Sequence, residues 1–489
     1  MKLLNKNQIK NWDIETVKKY PISSHDLMER AGKKCYDKLI HMFPEKKIHI
    51  VVNKGNNGGD GLVIFRHLLK DNKNVRLTII DIIKNKSEDF NKNLNLISKQ
   101  YCHRITNAEE LLLKNDELII DCIFGYGINR ETSDTFAEII RKINNSQVQV
   151  VSIDMPSGLF PENNSNNNGA IIKANYTYTF EIPKISLLLP SYQCYYGEVH
   201  IISIGLDKKY LQTIKSNYHY ITKQSLPKLN SRHKFAHKGN FGHGLLIGGS
   251  NKMKGAIILS SIAAMKSGIG KVSVNLPDEY IRDLNIQLPE AIIDNILNLS
   301  NLKIYDAIGI GPGLNDKSKY THQLVKSILH QRGETPIVID AGAINIIAKN
   351  NNLLSKCENT IFTPHPKEFK RLVGDYKSDE EKLEKQINFS RKNNLIVILK
   401  GAHTTISINE NLYFNSSGNT GLSKAGSGDV LTGLITSLLS QGYNVKDASI
   451  LGVFIHGYAA ELCLDNETEE TMIPSNIINK FVEIFNLIK

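Results

Sequence analysis

Three turns in the first third of the chain carry acids, amides and a hydroxyl immediately after β-branched runs. They are "GNNGGDG" after "IHIVVN", "DCIFGYGINR" after "ELII", and "IDMPSGL" after "VQVVS". Ligands of open α/β sheets sit in the crevice outside the carboxyl ends of the strands, which is where such turns fall. One Gly-rich turn alone is usually structural; three on neighbouring strands, each with an acid or amide, point to a site. The first turn lacks the Lys of a phosphate loop and carries Asp60, and GxGxxG fails at Ile64. Its backbone N–H groups still open a helix, where a phosphate is favourable. Asn57, Asp121 and Ser157 offer hard oxygen ligands without His or Cys, which suits an alkali or alkaline-earth cation better than zinc. Asp154, just ahead of "PSG", is the carboxylate best placed for proton transfer.

A second chemistry is written in "NTGLSKAGSGDVLTGLITSLL" (419–439). Gly426 and Gly428 allow a tight turn before a helix expected to open near Asp429, and the N–H groups and dipole of that end form an anion hole. Asp429 at its edge can take a proton from a hydroxyl that attacks a phosphoryl group. A lone GSGD is more often a helix cap. Here "GPGL" (311–314), "TPHPKEF" (363–369) and "LKGAHTTI" (399–406) accompany it, each at a strand-like end. Lys400 and nearby main-chain amides are set to meet a nucleotide phosphate, and His365, between Pro364 and Pro366, is a further polar candidate.

The elements that must position these residues follow from periodicity. From residue 47 short β-branched runs alternate with helical stretches, which means βαβ units and a mostly parallel sheet. The residues ahead of "LMERAG" read as helix packed outside that sheet. A polar, Lys/Asn-rich stretch near 208–235 interrupts the alternation, which restarts at "HGLLIGGS" and ends in two helices with apolar faces. We expect domains at 1–212 and 233–489 joined by a linker at 213–232. The fold class is α/β in both halves, and the halves do not repeat each other.

Bulk properties exclude several classes. A chain of 489 residues exceeds one ordinary core, and 41% hydrophobic with 22% charged residues is a soluble globular balance. The net charge of +11 is scattered rather than clustered, so nucleic acid is not the expected partner. None of the six cysteines forms a CxxC pair, and no apolar run reaches membrane-spanning length. The charged N-terminal segment lacks the apolar core of a signal peptide, so a cytoplasmic protein with reduced thiols is expected.

"LMERAG", "KGNNGGDGLVIFRHL", "DCIFGYGINR" and "VVSIDMPSGL", in this order, resemble the signature blocks of NAD(P)H-hydrate epimerases over about residues 1–210. The resemblance implies a Rossmann-like, doubly wound domain that interconverts the R and S forms of hydrated NAD(P)H at nicotinamide C6. It implies that Asn56, Asn57, Gly58, Gly59 and Asp60, with Gly125, Tyr126, Gly127, Ile128, Asn129, Arg130 and Glu131, contact the dinucleotide. Asp154 would touch the reacting ring, and Asn57, Asp121 and Ser157 would hold K+. Tyr126 and Met155 depart from the commonest family residues, and the role of Lys184 in "EIPKISLL" is left open.

From "HKGNFGHGLLIGGSNKMKGA" (237–256) onward the chain resembles the ribokinase-like dehydratases that use ADP on the S hydrate. That resemblance places the hydrate near Ala256, Gly313, His365 and Asp429, and the nucleotide against Lys400, Gly401, Ala402, His403, Thr404 and Gly428. Lys367 stands where the family usually has Gly. Mg2+ is expected with the nucleotide, small molecules (the hydrates and ADP) are the expected substrates, and a homo-oligomer is expected, without nucleic acid or membrane. Two alternatives remain at this point: a kinase of a vitamin-like alcohol in the second half, or a non-catalytic binding module in the first. Retention of Asp60, Asp121 and Asp154 speaks against the latter.

Overall fold

Runs of Val and Ile that carry apolar residues on both faces become strands buried on both sides, as parallel sheets require. In the computed structural model, which describes residues 1–132, 134–294 and 299–489, they build two separate sheets. One compact unit comprises residues 2–216 with 378–380; the other comprises Met1, 217–377 and 381–489.

In the first unit, β1 (Lys47–Val52), β2 (Val75–Ile80), β3 (Cys102–Ile105), β4 (Glu117–Cys122), β5 (Val150–Ile153), β6 (Tyr176–Phe180) and β7 (Glu198–Ile202) form one parallel sheet. Its order is β3-β2-β1-β4-β5-β6-β7, so the chain reverses direction between β1 and β4. That reversal opens a crevice at the carboxyl ends. Val51 pairs with Asp121 and Asp121 with Ser152, which brings the three turns after β1, β4 and β5 to one rim. Helices α1 (Lys6–Lys19) and α2 (Ser24–Met42) both begin with capping boxes, at Asn5 and Ser23. Helix α3 (Asn56–Lys70) starts inside the first Gly-rich turn. A Cβ on Gly58 would lie 1.6 Å from the Asn53 carbonyl oxygen, so this position admits no side chain. α1 is more than external packing: it contributes to the wall of the cavity over the rim.

The second unit carries β8 (Tyr218–Ile221), β9 (His243–Ile247), β10 (Lys271–Asn275), β11 (Ile292–Ile293), β12 (Ala307–Ile310), β13 (Ile337–Ile339), β14 (Thr360–Phe362), β15 (Ile396–Leu399), β16 (Thr405–Ile408) and β17 (Asn411–Asn415). Their order is β11-β10-β9-β12-β13-β14-β15-β16-β17-β8, parallel except for the β15-β16-β17 meander. β8 lies inside the stretch expected as a linker. It pairs in parallel with β17 as an edge strand, because "YHYI" supplies the β-branched and aromatic residues that an edge accepts.

The helices Ser427–Ser440 and Val445–Cys463 differ from the expectation of one apolar face: both are buried nearly all round. Several of their hydroxyls bond within the helix, Thr436 Oγ1 donating to Thr432 O at 2.8 Å, Ser440 Oγ to Thr436 O at 2.9 Å and Ser449 Oγ to Val445 O at 2.7 Å. Small residues permit the crowding. A Cβ on Gly433 would stand 2.0 Å from the Ser260 carbonyl oxygen of the neighbouring helix Lys254–Lys266. Gly433→Ala is therefore expected to destabilise the second unit by about 1–3 kcal/mol, read as a lower midpoint in urea. An unchanged midpoint would mean that the helices separate freely.

Candidate functional site

The first site is a cavity of about 1130 Å³ at the β1–β4 crevice, slightly larger than a drug-sized pocket at roughly 300–1,000 Å³. Asn56, Asn57, Asp60, Asp154 and the loop from Gly125 to Arg130 line it. The backbone of Asp154 is held at φ 67°, a strained conformation for a residue other than glycine. One carboxylate oxygen meets Lys184 Nζ at 2.5 Å; the other accepts the Tyr126 N–H at 2.8 Å. Lys184 is almost wholly buried and also donates to Thr179 Oγ1 at 2.8 Å. Lys184 is thus the counter-charge of Asp154, which answers the question left open for it.

Asp121 is fully buried and surrounded by neutral donors: Ser157 Oγ at 2.5 Å, Ser152 Oγ at 2.8 Å, and the N–H groups of Ser157 at 2.9 Å and Ile123 at 3.2 Å. Burial raises its pKa, and these donors work against the rise. Both polar atoms of the Asn57 amide are buried without a partner. The Cβ position of Gly125 lies 3.3 Å from Asn57 Cγ and 2.9 Å from an Asp154 oxygen, so Asn57 and Asp154 flank the same glycine. Gly58 and Gly59 pack against Asn53 and Met28 and do not face the cavity. Glu131 lies outside its lining, with its carboxylate accepting Asn168 N–H at 2.8 Å. Asp60 has its pKa pushed well up by burial, then by the carboxylates of Asp154, Asp13 and Asp89.

The second site gathers the ends of β13, β14 and β15 around the first turn of helix Ser427–Ser440. That helix opens at Ser427, two residues before the expected start, so Gly428 and Asp429 lie within its first turn. Its N-cap, Gly426, has no side-chain acceptor; Ser427 N–H turns back to Lys424 O at 3.3 Å, and the N–H groups of Gly428 and Asp429 are left to meet an anion. Lys400 Nζ sits 3.1 Å from the Cβ position of Gly428 and 2.9 Å from Asp340 Oδ1. Asp340 Oδ2 in turn accepts from Thr432 Oγ1 at 3.0 Å. Burial opposes the charge on Lys400, but the Asp340 and Glu368 carboxylates outweigh it and raise its pKa. Burial, then the Asp340 carboxylate, push Asp429 up to about 7, against the pull of Lys400.

His365 caps the helix Pro366–Val373: its Nδ1 accepts the N–H groups of Lys367 at 3.0 Å and Glu368 at 3.3 Å. Lys367 takes an ordinary place in that first turn. Burial, then Lys400, lower the His365 pKa, so the ring is neutral at pH 7. Ala256 and Gly313 are neighbours, with the Gly313 Cβ position 3.1 Å from Ala256 Cβ. The His403 ring is engaged with Asn415 O at 3.0 Å, and Thr404 Oγ1 donates to Gly401 O at 2.9 Å. This turn therefore presents main chain more than side chains. Among the described residues no group of three or more His, Cys, Asp and Glu is arranged to hold a metal ion.

A sequence profile described as NAD(P)H-hydrate dehydratase matches residues 244–482, and one described as YjeF-related protein N-terminus matches residues 24–186. The bifunctional NAD(P)H-hydrate repair enzyme of Moorella thermoacetica is 32% identical over 494 residues, covering 94% of this chain and 92% of that one. The chain belongs to this family of bifunctional NAD(P)H-hydrate repair enzymes. Among solved structures, a ribokinase-like superfamily protein from Enterococcus faecalis V583 matches at 27% identity and TM-score 0.52, covering 56% of this chain and 98% of that one. The ADP/ATP-dependent NAD(P)H-hydrate dehydratase from Bacillus subtilis, co-crystallised with ATP/Mg2+, is 29% identical over 54% of this chain and 95% of that one, with TM-score 0.47. The second half of the chain, by its match to the Enterococcus faecalis structure, has the ribokinase-like α/β fold.

Sequence reasoning passed over Asp13, Asp340, Glu368 and Thr432. Asp340 carried a usable signal, since "PIVIDAGAIN" places an acid at a strand end just as "ELIID" and "VVSID" do. The other three had none. The buried Lys184–Asp154 pair makes a stability prediction. Lys184→Met leaves a buried carboxylate without its cation and is expected to cost the first unit about 3–5 kcal/mol. Lys184→Met with Asp154→Asn is expected to recover most of that loss, because Asn tolerates the positive φ. Calorimetry checks both; equal losses in the single and double variants would show that the pair is not what is being broken.

Proposed function

We propose that the first cavity interconverts the R and S hydrates of NAD(P)H at C6, and that the Lys400–Asp429 turn of the second unit dehydrates the S hydrate with ADP. The products are NAD(P)H, AMP and phosphate. The division between the two activities falls within 213–232 on this reading. The observation that carries it is Asp429, raised toward neutrality, at the open first turn of a helix whose Gly428 is met by Lys400.

In the second site the C6 hydroxyl oxygen attacks the terminal phosphorus of ADP and gives its proton to Asp429. The bond to AMP breaks with its electron pair on the AMP oxygen. Lys400 and the N–H groups of the first turn stabilise the charge on the phosphoryl oxygens. Asp340 holds Lys400 in place from behind. Phosphate then leaves C6 as the N1 lone pair forms a C=N bond, and loss of a C5 proton restores the dihydronicotinamide. Mg2+ would neutralise nucleotide charge and, as is usual for this ion, be held largely by the phosphates that bring it.

In the first site the Gly-rich turn and the Gly125–Arg130 loop would embrace the dinucleotide, with Asp154 against the ring. The residues fit a monovalent cation: the Asn57 amide oxygen is buried without a partner, and the Asp121 carboxylate is buried among neutral donors only. K+ held by Asn57, Asp121 and Ser157 would offset that charge and steady the loop. We infer small molecules as the only ligands of both sites, a cytoplasmic location and self-association. No helix among the described residues is long and apolar enough to cross a membrane.

Mixed R and S NADH hydrates treated with the protein, ADP and magnesium are expected to return fully to the absorbance of NADH. A halt after the S fraction would overturn the epimerase assignment, and no recovery at all would overturn the dehydratase. Asp429→Asn is expected to abolish dehydration and spare epimerisation, and Asp154→Asn the reverse. The dehydratase rate should rise with pH and level off above about 7, since Asp429 must be ionised to act as base. The same group ties activity to stability. Its folded pKa lies above the unfolded carboxyl value of about 4, so its stabilising contribution is complete below that pH and is lost as pH rises through about 7. Asp429→Asn should therefore melt higher than the native chain at pH 8 and not at pH 4.

A further inference from the structure

Asp13 projects from α1 into the wall of the first cavity, far in sequence from every residue assigned to the site. Its Oδ2 accepts the Tyr126 hydroxyl at 3.0 Å, and no partner is seen for its Oδ1 among the described residues. Tyr126 thus touches two carboxylates with its two ends: the backbone N–H meets Asp154 at 2.8 Å and the hydroxyl meets Asp13. The two acids lie in one cavity but differ in surroundings. Asp154 is ion-paired with the buried Lys184, whereas the hydrogen bond seen for Asp13 among the described residues is from the Tyr126 phenol, to one of its two oxygens.

Epimerisation at C6 needs a group on each face of the ring. The hydroxyl departs from one face and water returns to the other, so a proton must be given on one side and taken on the other. Two carboxyls held at opposite ends of one tyrosine meet that need, one ion-paired with a lysine and the other not.

We propose that Asp13 is a catalytic residue of the epimerase, the acid that protonates the departing C6 hydroxyl. The inference rests on the epimerase reading above. The Asp13 proton passes to the hydroxyl oxygen, the C6–O bond breaks with its electron pair on that oxygen, and water departs as the N1 lone pair forms a C=N bond to C6. Water adds to the opposite face and loses a proton to Asp154. Exchange with solvent then returns both carboxyls to their starting states, and in the reverse direction their roles interchange. Burial chiefly, set against the Tyr126 hydrogen bond, pushes Asp13 up to about 6, which suits a proton donor near neutral pH. The charged and titratable groups facing it are Tyr126, Asp154, Lys184, Glu181 and Asp60, with Lys10 on its own helix.

The full chain provides its own control. With mixed hydrates and ADP, the S fraction reports the second unit and the later R fraction reports epimerisation. Asp13→Asn, which keeps the hydrogen bond to Tyr126, is expected to leave the S phase unchanged and slow the R phase about a hundredfold, with little change in KM. Asp13→Glu should regain part of the rate. In the native chain the R phase should fall as pH rises through about 6; Asp13→Asn should abolish that fall. Tyr126→Phe should move it to higher pH by removing the bond that favours the carboxylate. An R phase within threefold of native in Asp13→Asn overturns the proposal. A native chain with an S phase and no R phase overturns the epimerase reading itself.

Discussion

A lysine closed over an aspartate at the carboxyl end of a parallel strand is the interaction on which both sites depend. Asp154 follows β5 and meets Lys184 from beyond β6; Asp340 follows β13 and meets Lys400 from the end of β15. The two units share no repeat, yet each fixes a carboxylate in the same way. In both, the backbone at that point takes positive φ, at Asp154 itself and at Ala341 beside Asp340. A parallel sheet brings consecutive strand ends to one edge, so a late strand can deliver a cation to an acid placed by an earlier one. Neither charge would be tolerable there alone.

The pairs have different consequences because their free faces differ. Lys184 is spent on Asp154, Thr179 and the Phe180 carbonyl, so it orients and does not present charge to the cavity. Lys400 retains exposure and leans on Gly428, which leaves it available to an anion at the helix end. The same device yields a positioned carboxylate in one unit and a positioned cation in the other.

Much of this was legible in the residues. Strand–turn alternation placed the rims, and the acids after "ELII" and "VVSI" stand where the crevice opens. What escaped had physical reasons. Asp13 sits beside the buried stripe of Ile9, Trp12 and Thr16 on α1, and its position in the cavity depends on how that helix packs on the sheet, which no local pattern states. Lys184 is one lysine among many until burial singles it out. Glu131 fits the loop by sequence but turns to Asn168. The two late helices read as amphipathic because Ser, Thr and Gly look polar or neutral in a string, whereas in the core the hydroxyls of Thr436, Ser440 and Ser449 bond to their own backbone.

β8 carries a lesson for anyone dissecting the protein. A fragment begun at residue 233, the expected start of the second domain, would lack one edge strand of the ten-stranded sheet and bare the N–H and C=O row of β17. Exposed rows of that kind recruit strands from other molecules. The stretch that reads as a tether is the selvedge of the second sheet, and a fragment meant to stay soluble must keep it.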